Sequence, residues 1–360
     1  MEKSKKICFL INSLKTGGAE RTVAYLTDFI SKYGYDVDLV LYGDLGCYDL
    51  NPQVNVIYLN KSDSNSNLFK RLATLVKRYF LFKKYLKKEN PQIIFCMLYP
   101  AIIYTLFSKK IVISSERSNP AYLKGMKKII RDFLFKHTDG IVFQTERAKN
   151  FFCKKIREKG IVIPNAVGNL EAYNIEYKGE RRKAIVAIGS LKKEKDYFTL
   201  IKSFKIVCSK YPEYQLEIYG DGYLKKQLME LVNLLSIQKN VLFMGIKKDV
   251  LSLVKDASCY VLSSESEGMP NALMEALAIG LPCVSTDCPN GPSELIKNGE
   301  NGLLVPVADV DSLANAILKL IEDYDFALKC SQNGRKILMT NNVNSISLKY
   351  LQFIEGYLNN

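Results

Sequence analysis

Along the chain, short runs of apolar and β-branched residues alternate with longer stretches in which apolar positions recur every three or four residues. The short runs fall at 7–11, 37–41, 54–58, 93–98, 111–114, 141–143 and 161–163. A second series falls at 184–188, 215–219, 241–244, 259–262, 282–285 and 302–305. Near-continuous apolar strands between helix-length segments predict parallel sheets, since a strand covered on both sides has no solvent-facing positions to make polar. Two such series predict two doubly wound α/β domains. The division is expected in the polar stretch 169–183. It leaves one domain over 1–168, a second over 169–340 and a last helix over 341–360, in which Leu348, Leu351, Phe353, Ile354 and Leu358 are available to pack.

Composition changes this picture little. A chain of 360 residues, 48% hydrophobic and 24% charged, suits two soluble domains that each bury a core. Its nine cysteines include no Cys-x-x-Cys pair, which predicts reduced thiols in a cytosolic compartment. Cys283 and Cys288 are read as core and not as metal ligands, because partners at metal-site spacing are missing. The charged start leads only into the run 7–11, too short for a signal core, so no export signal is expected. The longest uncharged stretch, 91–108, is interrupted by Pro100 and falls short of the about 20 apolar residues a membrane span needs. A buried strand, a turn at Pro100 and a buried helix are expected there.

Charge is more informative. Residues 1–168 hold 29 Lys and Arg against 14 Asp and Glu, whereas 169–360 hold 22 against 23. The first half therefore carries the whole net charge of +14. Such asymmetry points to an anionic partner: a membrane surface, a phosphorylated acceptor or a nucleic acid. Within that half, Lys70, Arg71, Lys77, Arg78, Lys83, Lys84, Lys87 and Lys88 alternate with Leu72, Leu75, Val76, Tyr79, Phe80, Phe82 and Leu86. The three- and four-residue spacing predicts an amphipathic helix over 68–88 without a single acid. It is either a core-facing helix with a solvated basic face or a face lying on anionic lipid. A second basic cluster follows at Lys124, Lys127, Lys128 and Arg131.

Candidate chemistry sits where strands end. Gly17-Gly18-Ala19-Glu20-Arg21 opens a helix after the first strand, where glycines let a ligand approach and free N–H groups suit an anion. The same glycines also suit a plain turn, and the Gly-x-Gly-x-x-Gly spacing of dinucleotide binders is absent. In the second half, Gly189-Ser190-Leu191 ends a strand and is followed by Lys195, able to aim a point charge at a phosphate. Tyr219-Gly220-Asp221-Gly222 repeats the strand-to-glycine turn, again as ligand contact or plain turn. Then comes Glu267-Gly268-Met269-Pro270-Asn271, in which Pro270 suits the first turn of a helix carrying Glu275 about two turns in. A helix start there presents N–H groups to a diphosphate, and carboxylates accept from sugar and ribose hydroxyls.

Glu267 and Glu275, seven residues apart between them, resemble the paired glutamates of the family-four retaining glycosyltransferases, which have the GT-B fold. So do the segments at 17–21, Ile163-Pro164-Asn165, Gly189 with Leu191 and Lys195, 219–222, 288–294 and 298–305. The resemblance runs nearly the whole chain in order. It implies two Rossmann-like domains facing across a cleft, with the C-terminal helix crossing back to the N-domain. The first domain would bind the acceptor and the second the nucleotide sugar. It further implies retaining transfer of a hexose or N-acetylhexosamine, from a donor taken as UDP-linked, with no bound metal and no other cofactor. Lys195 would stabilise the leaving diphosphate. Glu267 would take the sugar hydroxyls and Glu275 the ribose. Gly17, Gly18, Arg21, Gly189, Ser190, Gly220, Gly222, Gly245, Gly268, Met269, Pro270 and Asn271 would line the donor site.

Two departures stand out. Ser190 occupies a position where the family commonly has Arg, so that either Arg21 or Arg117 substitutes as the cation or the diphosphate is held less tightly. Ser115-Glu116-Arg117-Ser118-Asn119 resembles a Ser-Glu-His-Ser-Asn subgroup of lipid-linked oligosaccharide assembly, with Arg117 at the histidine position and Glu116 beside it, which implies that both are catalytic along with Lys195 and Glu267. The only histidine, His137, matches no motif and is read as structural. The acceptor implied is a polyprenyl-diphosphate-linked glycan, met peripherally on the cytoplasmic face of an anionic membrane. Three alternatives fare worse. A dehydrogenase lacks the fingerprint glycines, a nucleic-acid binder lacks any recognised module, and a sugar-nucleotide 2-epimerase leaves the Glu267 to Glu275 segment unexplained.

Overall fold

Strand residues alternate between two apolar faces, and that alternation organises each half. The computed structural model describes residues 5–15, 17–43, 46, 50–59, 68–168 and 179–358, with Leu68 described by its backbone alone. The chain divides into one unit formed by Met1–Ala166 with Val343–Asn360 and a second formed by Val167–Asn342. Most of the expected division at 169–183 lies outside the described residues.

The first unit holds seven parallel strands, β1 (Lys6–Ile11), β2 (Asp36–Leu41), β3 (Asn55–Tyr58), β4 (Ile93–Cys96), β5 (Ile111–Glu116), β6 (Gly140–Phe143) and β7 (Gly160–Val162). They lie in the order β3-β2-β1-β4-β5-β6-β7. Ile7, Phe9 and Ile11 of β1 pack on one side of the sheet with α1 (Gly18–Lys32) and the C-terminal helix Val343–Leu358. Cys8 and Leu10 pack on the other with α2 (Leu68–Glu89) and α3 (Gly125–Lys136). Both sides of β1 are thus apolar, as parallel pairing with helices on both faces requires.

The second unit holds β8 (Arg182–Ile188), β9 (Gln215–Tyr219), β10 (Val241–Gly245), β11 (Ala257–Leu262), β12 (Cys283–Thr286) and β13 (Leu303–Val305). Their order is β10-β9-β8-β11-β12-β13, also parallel. β8 and β11 are neighbours at the middle of this sheet; the chain leaves the C-terminal end of β8 toward β9 and that of β11 toward β12, in opposite directions. That divergence opens the crevice in which doubly wound sheets take ligands.

The buried helix expected at Pro100 is present as a 3-10 helix, Tyr99–Thr105, that includes the proline. Two local expectations are corrected. Pro270 stands at the N-cap of the helix Asn271–Ala278, not within its first turn, and Glu275 is little more than one turn in. In the C-terminal helix Leu351 and Ile354 are buried and Phe353 and Leu358 partly so, whereas Leu348 is exposed.

Candidate functional site

The loops that follow β8, β9 and β10 are zipped together by their backbones. Gly189 N–H donates to Tyr219 O at 2.9 Å, Leu191 N–H to Asp221 O at 3.0 Å, and Gly220 N–H to Gly245 O at 2.9 Å. Gly220 has φ +141°, and a Cβ there would fall 1.9 Å from the Gly189 carbonyl; one on Gly222 would fall 2.4 Å from that of Leu191. Glycine at 220 and 222 is therefore a packing requirement between two loops, and it brings Gly189, Ser190, Gly220, Gly222 and Gly245 to one edge of the second sheet.

Lys195 closes a 3-10 turn after β8. Ser263 Oγ donates to the Lys195 carbonyl at 2.8 Å, and Glu265 N–H to the Glu194 carbonyl at 2.9 Å, which ties this turn to the end of β11. Asp196, at φ +42°, then caps the helix Tyr197–Lys210 by accepting from Thr199 N–H at 3.2 Å. The result places the Lys195 ammonium 2.6 Å from Glu267 Oε1. The same carboxylate oxygen accepts from Ser264 Oγ at 2.6 Å. Lys195 and Glu267 are both partly buried. Sequence reasoning named them separately; their direct pairing and the part of Ser264 were not foreseen.

Gly268 and Pro270 lead from Glu267 into the helix Asn271–Ala278, which carries Glu275, partly exposed, on its second turn. The Met269 side chain is buried in the core, so only its backbone is available to a ligand. The loop after β12 seals this turn from outside. Gly291 has φ +99°, and a Cβ there would lie 2.5 Å from Pro270 and 2.8 Å from the Gly268 carbonyl. Cys288 is fully buried behind it, and burial, with Glu267 nearby, pushes its thiol up to about 12. Cys283 is held well above its ordinary value by burial as well, so both thiols stay protonated.

In the first unit, the C-terminal ends of β1, β5 and β7 meet. Gly17 is the N-cap of α1, and a Cβ there would come 2.2 Å from the Glu20 carboxylate. Arg21, partly buried, lies in the first turn, its N–H donating to the Gly17 carbonyl at 3.0 Å. Arg117 follows β5 and donates to Thr22 Oγ1 at 2.7 Å, to Asn165 Oδ1 at 2.5 Å and to the Tyr350 hydroxyl at 3.0 Å. Thr22 in turn donates to the Gly18 carbonyl at 2.9 Å, and Gln144 to Asn165 at 2.5 Å. Arg117 is therefore held by α1, by the segment after β7 and by the C-terminal helix. Thr22, Gln144 and Tyr350 carried no motif, and Tyr350 stands 233 residues from its partner. Glu116 is buried and accepts from Ser118 N–H at 3.1 Å and Ser118 Oγ at 2.7 Å, with Arg131 at 3.8 Å. Burial raises its carboxyl above the ordinary value despite these partners. His137 is exposed at the C-cap of α3, its Nδ1 2.8 Å from the Phe133 carbonyl.

Among the described residues no group of three or more His, Cys, Asp or Glu could hold a metal ion, and no helix is long and apolar enough to cross a membrane.

Comparison with known proteins covers both units. The family described as Glycosyltransferase Family 4 matches residues 16–168, and that described as Glycosyl transferases group 1 matches residues 171–337. The chain is 26% identical over 356 residues to the GalNAc-alpha-(1->4)-GalNAc-alpha-(1->3)-diNAcBac-PP-undecaprenol alpha-1,4-N-acetyl-D-galactosaminyltransferase of Campylobacter jejuni, covering 97% of this chain and 98% of that protein. It is 25% identical over 339 residues to the UDP-Gal:alpha-D-GlcNAc-diphosphoundecaprenol alpha-1,3-galactosyltransferase of Escherichia coli, covering 85% of each. In fold it resembles Anabaena HepE, solved in complex with UDP and glucose, with a TM-score of 0.79 at 17% identity over 98% of this chain and 99% of that one.

Proposed function

The chain belongs to family four of the glycosyltransferases, and from that premise we propose what it transfers and how. The reading is retaining transfer of a hexose or N-acetylhexosamine from a UDP-linked donor to a glycan carried on a polyprenyl diphosphate, without a bound metal. The two relatives named for undecaprenyl-linked acceptors support the acceptor class, and the UDP held by a protein of the same fold supports the nucleotide.

The observation that carries the donor chemistry is the Lys195–Glu267 contact of 2.6 Å at the crevice of the second sheet. A diphosphate brings more negative charge than one carboxylate and competes for the ammonium. Glu267, released toward the sugar, then accepts from its hydroxyls while Ser264 keeps it oriented. Lys195 faces the phosphate that gains charge as the C1–O bond breaks, which is stabilisation of a developing charge by a fixed cation. Backbone N–H groups of Gly268, Met269 and Asn271, at the start of a helix, face the same charge, Pro270 having none to offer. The loops of Gly189, Ser190, Gly220, Gly222 and Gly245 let the nucleotide approach closely, and Glu275 takes the ribose hydroxyls.

The acceptor hydroxyl attacks C1 on the face the phosphate leaves, and its proton passes to a leaving phosphate oxygen. No carboxylate pair acting as acid and base is needed, unlike glycoside hydrolysis. The first unit takes the acceptor. Glu116 and Arg117 enter as positioning residues, because their charges are spent on Ser118, Arg131, Thr22, Asn165 and Tyr350. The protein works peripherally on the cytoplasmic membrane face, where such acceptors are anchored. Incubation of the pure protein with UDP-, GDP-, ADP- and CMP-linked sugars and an undecaprenyl-diphosphate glycan tests this reading. Acceptor-dependent release of UDP is expected; release of another nucleotide, or of none, overturns it.

A further inference from the structure

The layer covering one face of the first sheet is apolar on two sides at once. Phe82 and Leu86 of α2, Ile102 of the 3-10 helix Tyr99–Thr105 and Phe135 of α3 share one core cluster with Cys8 and Leu10 of β1. These elements lie on the same side of the sheet, so their other sides look outward together. On α2 that outer side carries Phe69, Leu72, Val76 and Phe80, at three- and four-residue spacing opposite Phe82 and Leu86. On α3 it carries Met126, Ile129, Ile130 and Phe133. Phe69, Phe80, Met126 and Ile129 are 82%, 65%, 69% and 62% exposed. Beside α2, Phe107 is 92% exposed and held at φ +60°, a conformation phenylalanine rarely adopts; the Tyr79 hydroxyl pins its loop by donating to the Leu106 carbonyl at 3.3 Å.

Single exposed apolar residues are ordinary, but two ordered stripes on one layer mark a surface that something covers. The charge at their rim selects the occupant. Lys70, Arg71, Lys77 and Lys84 edge the stripe of α2, and Lys124 and Lys127 that of α3, all exposed. The acids of these two helices are already engaged. Glu89 binds Lys6 at 2.8 Å and Lys88 at 3.0 Å, and Asp132 binds Lys128 at 2.7 Å and Arg131 at 2.9 Å. A second copy of this face would set lysines against lysines. An anionic bilayer complements both features, with headgroups for the lysines and acyl chains for the stripes.

We propose that α2 and α3 insert together into the headgroup–acyl boundary of an anionic bilayer, with Phe107 as a wedge beside α2. This rests on the peripheral placement proposed above and deepens it. Apolar burial, and not charge alone, holds the first unit on the membrane.

The chain contains no tryptophan, so one introduced residue reports its own surroundings. Phe80→Trp and Phe133→Trp, each in the full chain, would be mixed with phosphatidylcholine–phosphatidylglycerol vesicles carrying brominated acyl chains. Leu234→Trp, exposed in the second unit, is the control. Emission from positions 80 and 133 is expected to shift to shorter wavelength and be quenched by bromine, while the control does neither. Replacing Phe80 and Phe133 by Ser should weaken vesicle partitioning by about tenfold per residue. High salt, in contrast, removes only the screened part of the binding. Vesicle binding without quenching at either position would reduce the surface to a charged one and overturn the proposal. A concentration-dependent blue shift without vesicles would assign the stripes to a second copy and overturn it equally. No donor or acceptor is present, so a failed transfer assay and a failed insertion are separate results.

Discussion

Lys195 meets Glu267 at 2.6 Å, and a contact that short fixes the direction of an otherwise flexible four-carbon side chain. If that ammonium stabilises the leaving diphosphate, Lys195→Ala lowers turnover about a hundred- to thousandfold, ~3–4 kcal/mol, and weakens donor binding less. Steady-state kinetics on the folded variant decide it, and full activity removes Lys195 from the mechanism. Glu275→Gln should instead raise the donor KM, with an unchanged KM contradicting the ribose assignment. Glu116 belongs to a different class. Burial raises its carboxyl above the ordinary value of 4.5, so the unfolded chain gives up this proton before the folded one does. Its contribution to stability is therefore present below 4.5 and is lost as pH rises from there through the raised value. The unfolding free energy followed across pH should fall less steeply over that window in Glu116→Gln than in the parent; identical slopes would contradict the burial argument. At this scale the motif residues were legible in the sequence because strand-end glycines and carboxylates carry their own signal. Ser264 and Thr22 were not, since a hydroxyl beside a strand end is commonplace until its acceptor is known.

Elements were legible where apolar runs are continuous. All thirteen expected strands are present, their ends moved by a residue or two, because a strand buried on both faces leaves little freedom in pattern. At Pro100 the sequence showed a buried helix but not its kind, because the few residues after the proline fit a 3-10 helix as well as an α-helix. α2 held a subtler limit. Periodicity identified the helix, but Leu72, Val76 and Phe80 belong to its outer stripe and not to the core-facing one with Phe82 and Leu86. Periodicity tells that stripes exist, not what covers each. The C-terminal helix illustrates long-range dependence, since Tyr350 accepts from Arg117 across the first unit. Tyr350→Phe removes that acceptor and leaves a guanidinium N–H short of a partner. It should cost about 1–3 kcal/mol, seen as a lower denaturant midpoint and faster amide exchange in Val343–Leu358. An unchanged midpoint would show that the other Arg117 contacts suffice.

For the molecule as a whole, the proposed division of labour follows the division of charge. The excess of basic residues lies in 1–168, which also carries the paired apolar stripes, whereas the nearly neutral second half carries Lys195, Glu267 and the glycine loops. Family and fold were legible from ordered motifs spread along the chain; the sugar was not, because specificity rests on a few side-chain contacts that share no common pattern. The central claim is transfer with retention and without a metal, and one product analysis tests it most directly. The protein is incubated in EDTA with an α-linked UDP-sugar and an undecaprenyl-diphosphate glycan, and the new anomeric centre is read by proton NMR coupling. The account predicts an α-linked sugar on the acceptor; a β-linked product, or transfer that appears only when manganese or magnesium is restored, would contradict it.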